Sequence, residues 1–150
     1  MTQNLFDPAD REALVRRLSS LQPSSPRQWG RMNAAQMLAH CAAALEVACG
    51  DRVKKQALVG RVLAPFVRST VLGEKPFGRN APTDPDFKIV DDRDFATEHK
   101  RLTTLVDQFC SRGPSAADGL VHSFFGKLSG DQWGRLMYKH LDHHLRQFGA

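Results

Sequence analysis

The chain has 150 residues, 41% of them hydrophobic and 25% charged, which are ordinary values for a folded domain and exclude wholesale disorder. At this length one domain over residues 1–150 is expected, burying roughly two-thirds of the surface its unfolded chain would expose. The net charge of +5 favours acidic small molecules or surfaces without requiring nucleic acid.

The start, "MTQNLFDPADREALVRRL", lacks a basic segment followed by an apolar run, and no stretch approaches ~18 consecutive apolar residues. Neither a secretory leader nor a membrane-spanning helix is expected, and the cytoplasm is the expected compartment. The first helix is predicted from Asp7-Pro8, a cap followed by proline, to about Leu21. "QPSSPRQWGRM" reads as a loop. The second helix opens at Asn33, with Gln36 three residues on as a capping box, and runs to about Cys49 before Gly50.

Residues 51 to 72 read as a weaker helix, interrupted by Gly60 and Pro65. "LGEKPFGRNAPTDPD" then reads as an irregular loop. The next helix spans about Asp91 to Arg112, where Phe95, His99, Leu102, Val106 and Phe109 are spaced like the seam of an antiparallel bundle. "GPSAADGLVHSFFGKLSG" is a connector. The last helix begins between Ser129 and Asp131 and ends at Gly149. No segment alternates with period two, so the expected class is all-α: a four-helix bundle with a helical and loop insertion between its second and third helices.

The last helix, "QWGRLMYKHLDHHLRQFG", carries His140 and His144 four residues apart. Four residues turn a helix by 400° and rise about 6 Å, so both imidazoles leave one face within roughly 40° of each other. Trp133, Leu136, Met137, Leu141, Leu145 and Phe148 recur on that side, which makes it the core-facing side. Two imidazoles in a core are costly unless their ring nitrogens are bound. On the second helix, Met37, Cys41, Ala44, Leu45 and Ala48 form the inward stripe with His40 at its edge. Three histidines from two helices can therefore meet.

Neutral imidazole at about 2.0–2.1 Å suits zinc, nickel, iron or copper, and three such ligands leave a position open for water or substrate. Asp142 points about 160° away from His144, and Glu46 faces away from His40, so neither completes the set. There is no Glu in the His-x-x-x-His spacing, which argues against a zincin-type protease, and no CxxC for a thiolate site. His143 is expected at the rim or behind the ligands. His99 reads first as a partly buried histidine bonded to a neighbour, and His122 as a loop histidine just ahead of the ligand helix. Cys41, Cys49 and Cys110 are odd in number and sparse, which suits buried structural thiols rather than disulfides.

The segments "WGRMNAAQMLAHCAAALEVACGD" and "HSFFGKLSGDQWGRLMYKHLDHHLRQFG" resemble the DinB/YfiT-like metalloenzyme superfamily, and more closely a bacterial subfamily within it. The resemblance rests on a tryptophan-containing lead-in, Gln36-x-x-x-His40, and the closing His140-x-x-His143-His144. It implies an up-down-down-up four-helix bundle and a divalent metal bound by His40, His140 and His144, with His143 not a ligand. It also implies thiol-dependent transferase or isomerase chemistry by analogy of fold.

The leading expectation is a metal-dependent small-molecule enzyme, a transferase or hydrolase. Its divalent transition metal (Zn, Ni or Fe) would lower the pKa of a low-molecular-weight thiol or of water. Gln36, Met37, His99, His122, Trp133, Met137 and His143 are the candidates for lining or supporting the pocket, with Phe124 or Phe125 beside them. Arg31, Arg135 and Lys139 read mainly as solvated charge. The alternatives are a non-enzymatic metal-stabilised bundle and a basic-surface binding protein. The second of these would use residues 52–80, where seven Lys or Arg face one acid, Glu74. Such a segment suits a membrane surface or nucleic acid, although packing of its apolar side on the bundle is the expected arrangement. Nucleic acid is not favoured as a partner, and a homodimer is compatible with the chain.

Overall fold

The structure, a computed structural model, describes residues 2–150, apart from the side chain of residue 70. It is mostly helical: α1 (Pro8–Ser20), α2 (Ala34–Ala48), α3 (Leu58–Leu72), α4 (Phe95–Arg112), a single turn α5 (Pro114–Ala117) and α6 (Gly130–Gln147). A 3₁₀ turn (Pro85–Phe87) precedes α4. Strands β1 (Val121–His122) and β2 (Gly126–Lys127) pair antiparallel between α5 and α6. No helix among the described residues is long and apolar enough to cross a membrane.

The helix starts follow from local chemistry. Asp7 accepts from the backbone N–H groups of Ala9 and Asp10, with Pro8 opening α1. Asn33 and Gln36 close the expected capping box on α2, and Ser129 with Gln132 closes a second one on α6. Helix α4 starts later than the sequence suggests. Asp94, which accepts from the Thr97 N–H, caps it, while Asp91 instead pairs with Arg93. The β-pair was also not anticipated. Two-residue strands are too short to show alternation.

Helix α2 lies at the centre. It packs most extensively on α4 and also contacts α6, while α1 and α3 pack on α6. Only Gln36 and Glu46 of α2 are not buried, so the helix has no solvent face. Its run of alanines lets neighbours approach on every side, the arrangement of a helix that is apolar all round. The "edge" position expected for His40 is therefore interior, at 4% exposure.

Helix α3 departs from expectation in the opposite sense. Gly60 and Ala64 face the body of the protein, and a Cβ on Gly60 would lie only 2.3 Å from the Phe124 carbonyl oxygen. Arg68 donates to the carbonyls of Phe125 and Lys127 and to Gln132 Oε1. The larger apolar residues between Leu58 and Val67 point outward, while Val71 and Leu72 at the end of α3 turn into the core. Leu58, Val62 and Phe66 are 77%, 66% and 79% exposed, so the expected burial of the apolar side against the bundle is overturned. In the first half of α3 small residues, Gly60 and Ala64, give the close seat against the β1–β2 turn.

Candidate metal centre

Helices α2 and α6 bring His40, His140 and His144 together, with one ligand nitrogen from each lying within 4.8 Å of the others. The Nε2 atoms of His40 and His140 are 3.0 Å apart. Two ligands at about 2.0–2.1 Å from one ion sit about 2.8–3.4 Å from each other across the angles of octahedral and tetrahedral sites. The donor set and its spacing fit a divalent transition metal.

The tautomers follow from the partners of the other ring nitrogens. His40 Nδ1 lies 2.7 Å from the carbonyl oxygen of Phe87, which can only accept, so Nδ1 carries the proton and Nε2 keeps its lone pair. His144 Nδ1 lies 2.8 Å from Gln147 Oε1. The Gln147 amide is oriented in turn by donating from its Nε2 to the Trp29 carbonyl at 2.8 Å. Its oxygen therefore faces His144, and the Nε2 of His144 is also bare. Metal-binding imidazoles are held this way by acceptors behind them.

Burial sets the charge state. It lowers the pKa of His40, although the Phe87 hydrogen bond opposes the shift. Burial also lowers His140 well below the ordinary range, reinforced by the neighbouring His144 and His40. His144 is pushed down to about 3, by burial first and by His40 next. All three are neutral at pH 7, the form that ligates.

The other predicted residues divide. His143 packs its ring against Trp29 and Phe77, at 5.5 and 6.0 Å between centroids, outside the three-nitrogen cluster. His99 faces α1 instead, 3.0 Å from the Leu18 carbonyl. Gln36 spends its side chain on the α2 cap and on the Asp91 carbonyl, so it is held as a structural group. Met37 and Met137 are buried in the apolar core; Met37 contacts Cys41 and lines a cavity of about 10 Å³ with Leu14, Leu102 and Leu141. Trp133 is also buried and donates from its ring N–H to the Leu120 carbonyl.

His122 is not a solvated loop residue. Its Nδ1 accepts from the N–H groups of Phe124 and Phe125 and closes the β1–β2 turn, so Nε2 carries the proton, the tautomer opposite to that of His40 and His144. Burial pushes its pKa down to about 4, and it lies near enough to His140 for a charge on one to weigh on the other.

Asp142 is held by Arg17 and Arg146 rather than by a ligand position. Lys139 donates to the carbonyls of Val71 and Gly73, and Arg135 pairs with Asp131. Burial raises the thiols of Cys41, Cys49 and Cys110, Cys49 to about 11, so none is a thiolate at neutral pH.

Two supporting residues were missed by sequence reasoning. Phe87 acts through its backbone carbonyl, and only the Asp84-Pro85 pair, a cap followed by proline, marked the turn that presents it. Gln147 sits three residues after His144 on the same helical face, a spacing that was readable but unremarkable among polar residues.

One family model matches residues 3–150, almost the whole chain, and it is described as a protein of unknown function (DUF1569). No curated protein and no solved structure matches the chain.

Proposed function

We propose that this chain, which belongs to the DUF1569 family, is a metal-dependent enzyme acting on a small molecule, with His40, His140 and His144 as the metal ligands. One observation carries the reading: two of the three imidazoles have their Nδ1–H groups committed to oxygen acceptors, so bare Nε2 atoms converge with His140 in a buried cluster. A divalent ion held there supplies Lewis acidity, lowering the pKa of a thiol or water that meets it. The chain's own residues do the positioning. Phe87 and Gln147 fix the ring planes of His40 and His144, and Gln147 also ties that plane to the Trp29 segment. His122, with its proton on Nε2, fixes the β1–β2 turn just ahead of α6 and packs its ring on Trp133 of that helix.

The helix order and the two ligand helices support a DinB/YfiT-like four-helix bundle built from α1, α2, α4 and α6, with α3 and the 3₁₀ turn as the insertion. That analogy in turn supports thiol-dependent transferase chemistry over hydrolysis. The burial of His40 and His144, at 4% and 8% exposure, also favours a second reading in which the metal only knits α2 to α6.

Elemental analysis of protein purified without a histidine tag tests the first claim, with about one divalent ion per chain expected. Turnover of thiol plus electrophile by the loaded protein, abolished by chelator, supports the enzyme. A chelator-induced fall in melting temperature with no turnover supports the structural metal.

A further inference from the structure

Helix α3 shows solvent an apolar stripe made of Leu58, Val59, Val62, Leu63, Phe66 and Val67, each between 37% and 79% exposed. These six cover about 180° of the helix circumference, and no charged residue lies within that arc. The helix's two arginines, Arg61 and Arg68, lie about 150–170° from the centre of the stripe. Arg68 is already spent on the Phe125 and Lys127 carbonyls. An interfacial membrane helix needs cations flanking its apolar face, reaching for anionic headgroups. Here the helix's own cations point away, and a charge-free stripe is what the core of a protein–protein contact requires.

We infer that this stripe is the interface of a two-fold dimer in which α3 packs antiparallel on α3 of a second copy. The apolar positions map onto one another under such a two-fold: 59 pairs with 66 and 62 with 63 in the middle of the contact, while 58 and 67 fall at equal heights on its two flanks. An isologous contact needs this self-complementarity. The six side chains expose on the order of 600 Å² on one copy. Two copies in contact remove up to about 1,200 Å², the lower edge of a stable specific interface. A patch of about 600 Å² is at the upper end of what single chains leave bare, where such patches are often functional.

Sedimentation equilibrium between about 1 and 100 µM tests the interface. The wild-type chain is expected to sediment at twice its 16.7 kDa. Val62→Glu and Leu63→Lys, both at exposed positions and therefore compatible with folding, should each weaken association by at least about 100-fold, because each buries an unpaired charge. An equimolar mixture of the two variants should dimerise again, since residue 62 of one copy meets residue 63 of the other. A wild-type chain that stays at 16.7 kDa throughout the range overturns the inference, as do variants that dimerise like wild type or a mixture that stays monomeric. A monomeric wild type that sediments with phosphatidylserine/phosphatidylcholine vesicles, in a Val62-dependent way, overturns it in favour of a lipid surface.

Discussion

The Nε2 atoms of His40 and His140 face each other across 3.0 Å, although a hundred residues separate them in the chain. With His40 Nδ1 protonated against the Phe87 carbonyl, that contact in the metal-free protein is a hydrogen bond in which His140 donates. A cation in the cluster needs the His140 Nε2 lone pair, so that proton moves to Nδ1; no net proton release is expected near pH 7, and binding should weaken once acid protonates the three imidazoles.

His40→Ala, His140→Ala and His144→Ala should each abolish stoichiometric metal, whereas His143→Ala, whose ring packs on Trp29 and Phe77, should retain most of it. Metal analysis of the four untagged variants checks this. Equal retention by all four would contradict the ligand set.

Gln147→Leu removes the acceptor behind His144 and the donor to the Trp29 carbonyl at a position only 3% exposed. Metal affinity should fall by about 10–100-fold. Stability should fall by about 1–3 kcal/mol, because the buried His144 N–H and the carbonyl of half-buried Trp29 lose their partners. Competition with a chelating dye and urea unfolding measure the two effects, and an unchanged metal affinity would remove Gln147 from the site.

Acid should destabilise the protein well above the pH at which carboxylates titrate. The folded pKa values of His122 and His144, about 4 and about 3, lie below the ordinary 6.5. Between those values the unfolded chain binds protons that the folded chain refuses. Stability is therefore complete above about pH 6.5 and declines as pH drops from there toward the folded values. For His122 the loss approaches about 3 kcal/mol by pH 4. His122→Asn, whose side-chain oxygen replaces the Nδ1 acceptor of the β1–β2 turn, should flatten that decline by about one proton in a pH series of urea melts.

Gly60→Ala sets two effects against each other. Helix propensity favours alanine by about 1 kcal/mol. The new methyl meets the Phe124 carbonyl oxygen at 2.3 Å, and both sides of that collision are backbone. Displacement of this kind costs about 1–3 kcal/mol, so a net loss is expected. A lower melting temperature, with faster amide exchange at the start of α3, would confirm the seat; a rise in melting temperature would refute it.

Much of the chain was legible without coordinates. Asp7-Pro8 and the Asn33–Gln36 box placed two helix starts, because a cap acts on backbone groups within the same turn. The pairing of His140 with His144 was equally local, since four residues on a helix always share a face. The exposure of α3 was not legible. Its apolar periodicity promised burial, but periodicity says only that a face is apolar and not what covers it.

What the sequence determined by itself was therefore short-range: the helical class, the caps, and two imidazoles on one face of α6. Packing decided the rest. It sealed α2 on all sides, so that His40 entered the interior, and it delivered the Phe87 carbonyl from a distant turn to choose that histidine's tautomer. Helix geometry repeats every few residues and can be counted along the chain. The meeting of α2, α6 and the 3₁₀ turn depends on volumes and hydrogen bonds between segments far apart in sequence, which no local pattern encodes.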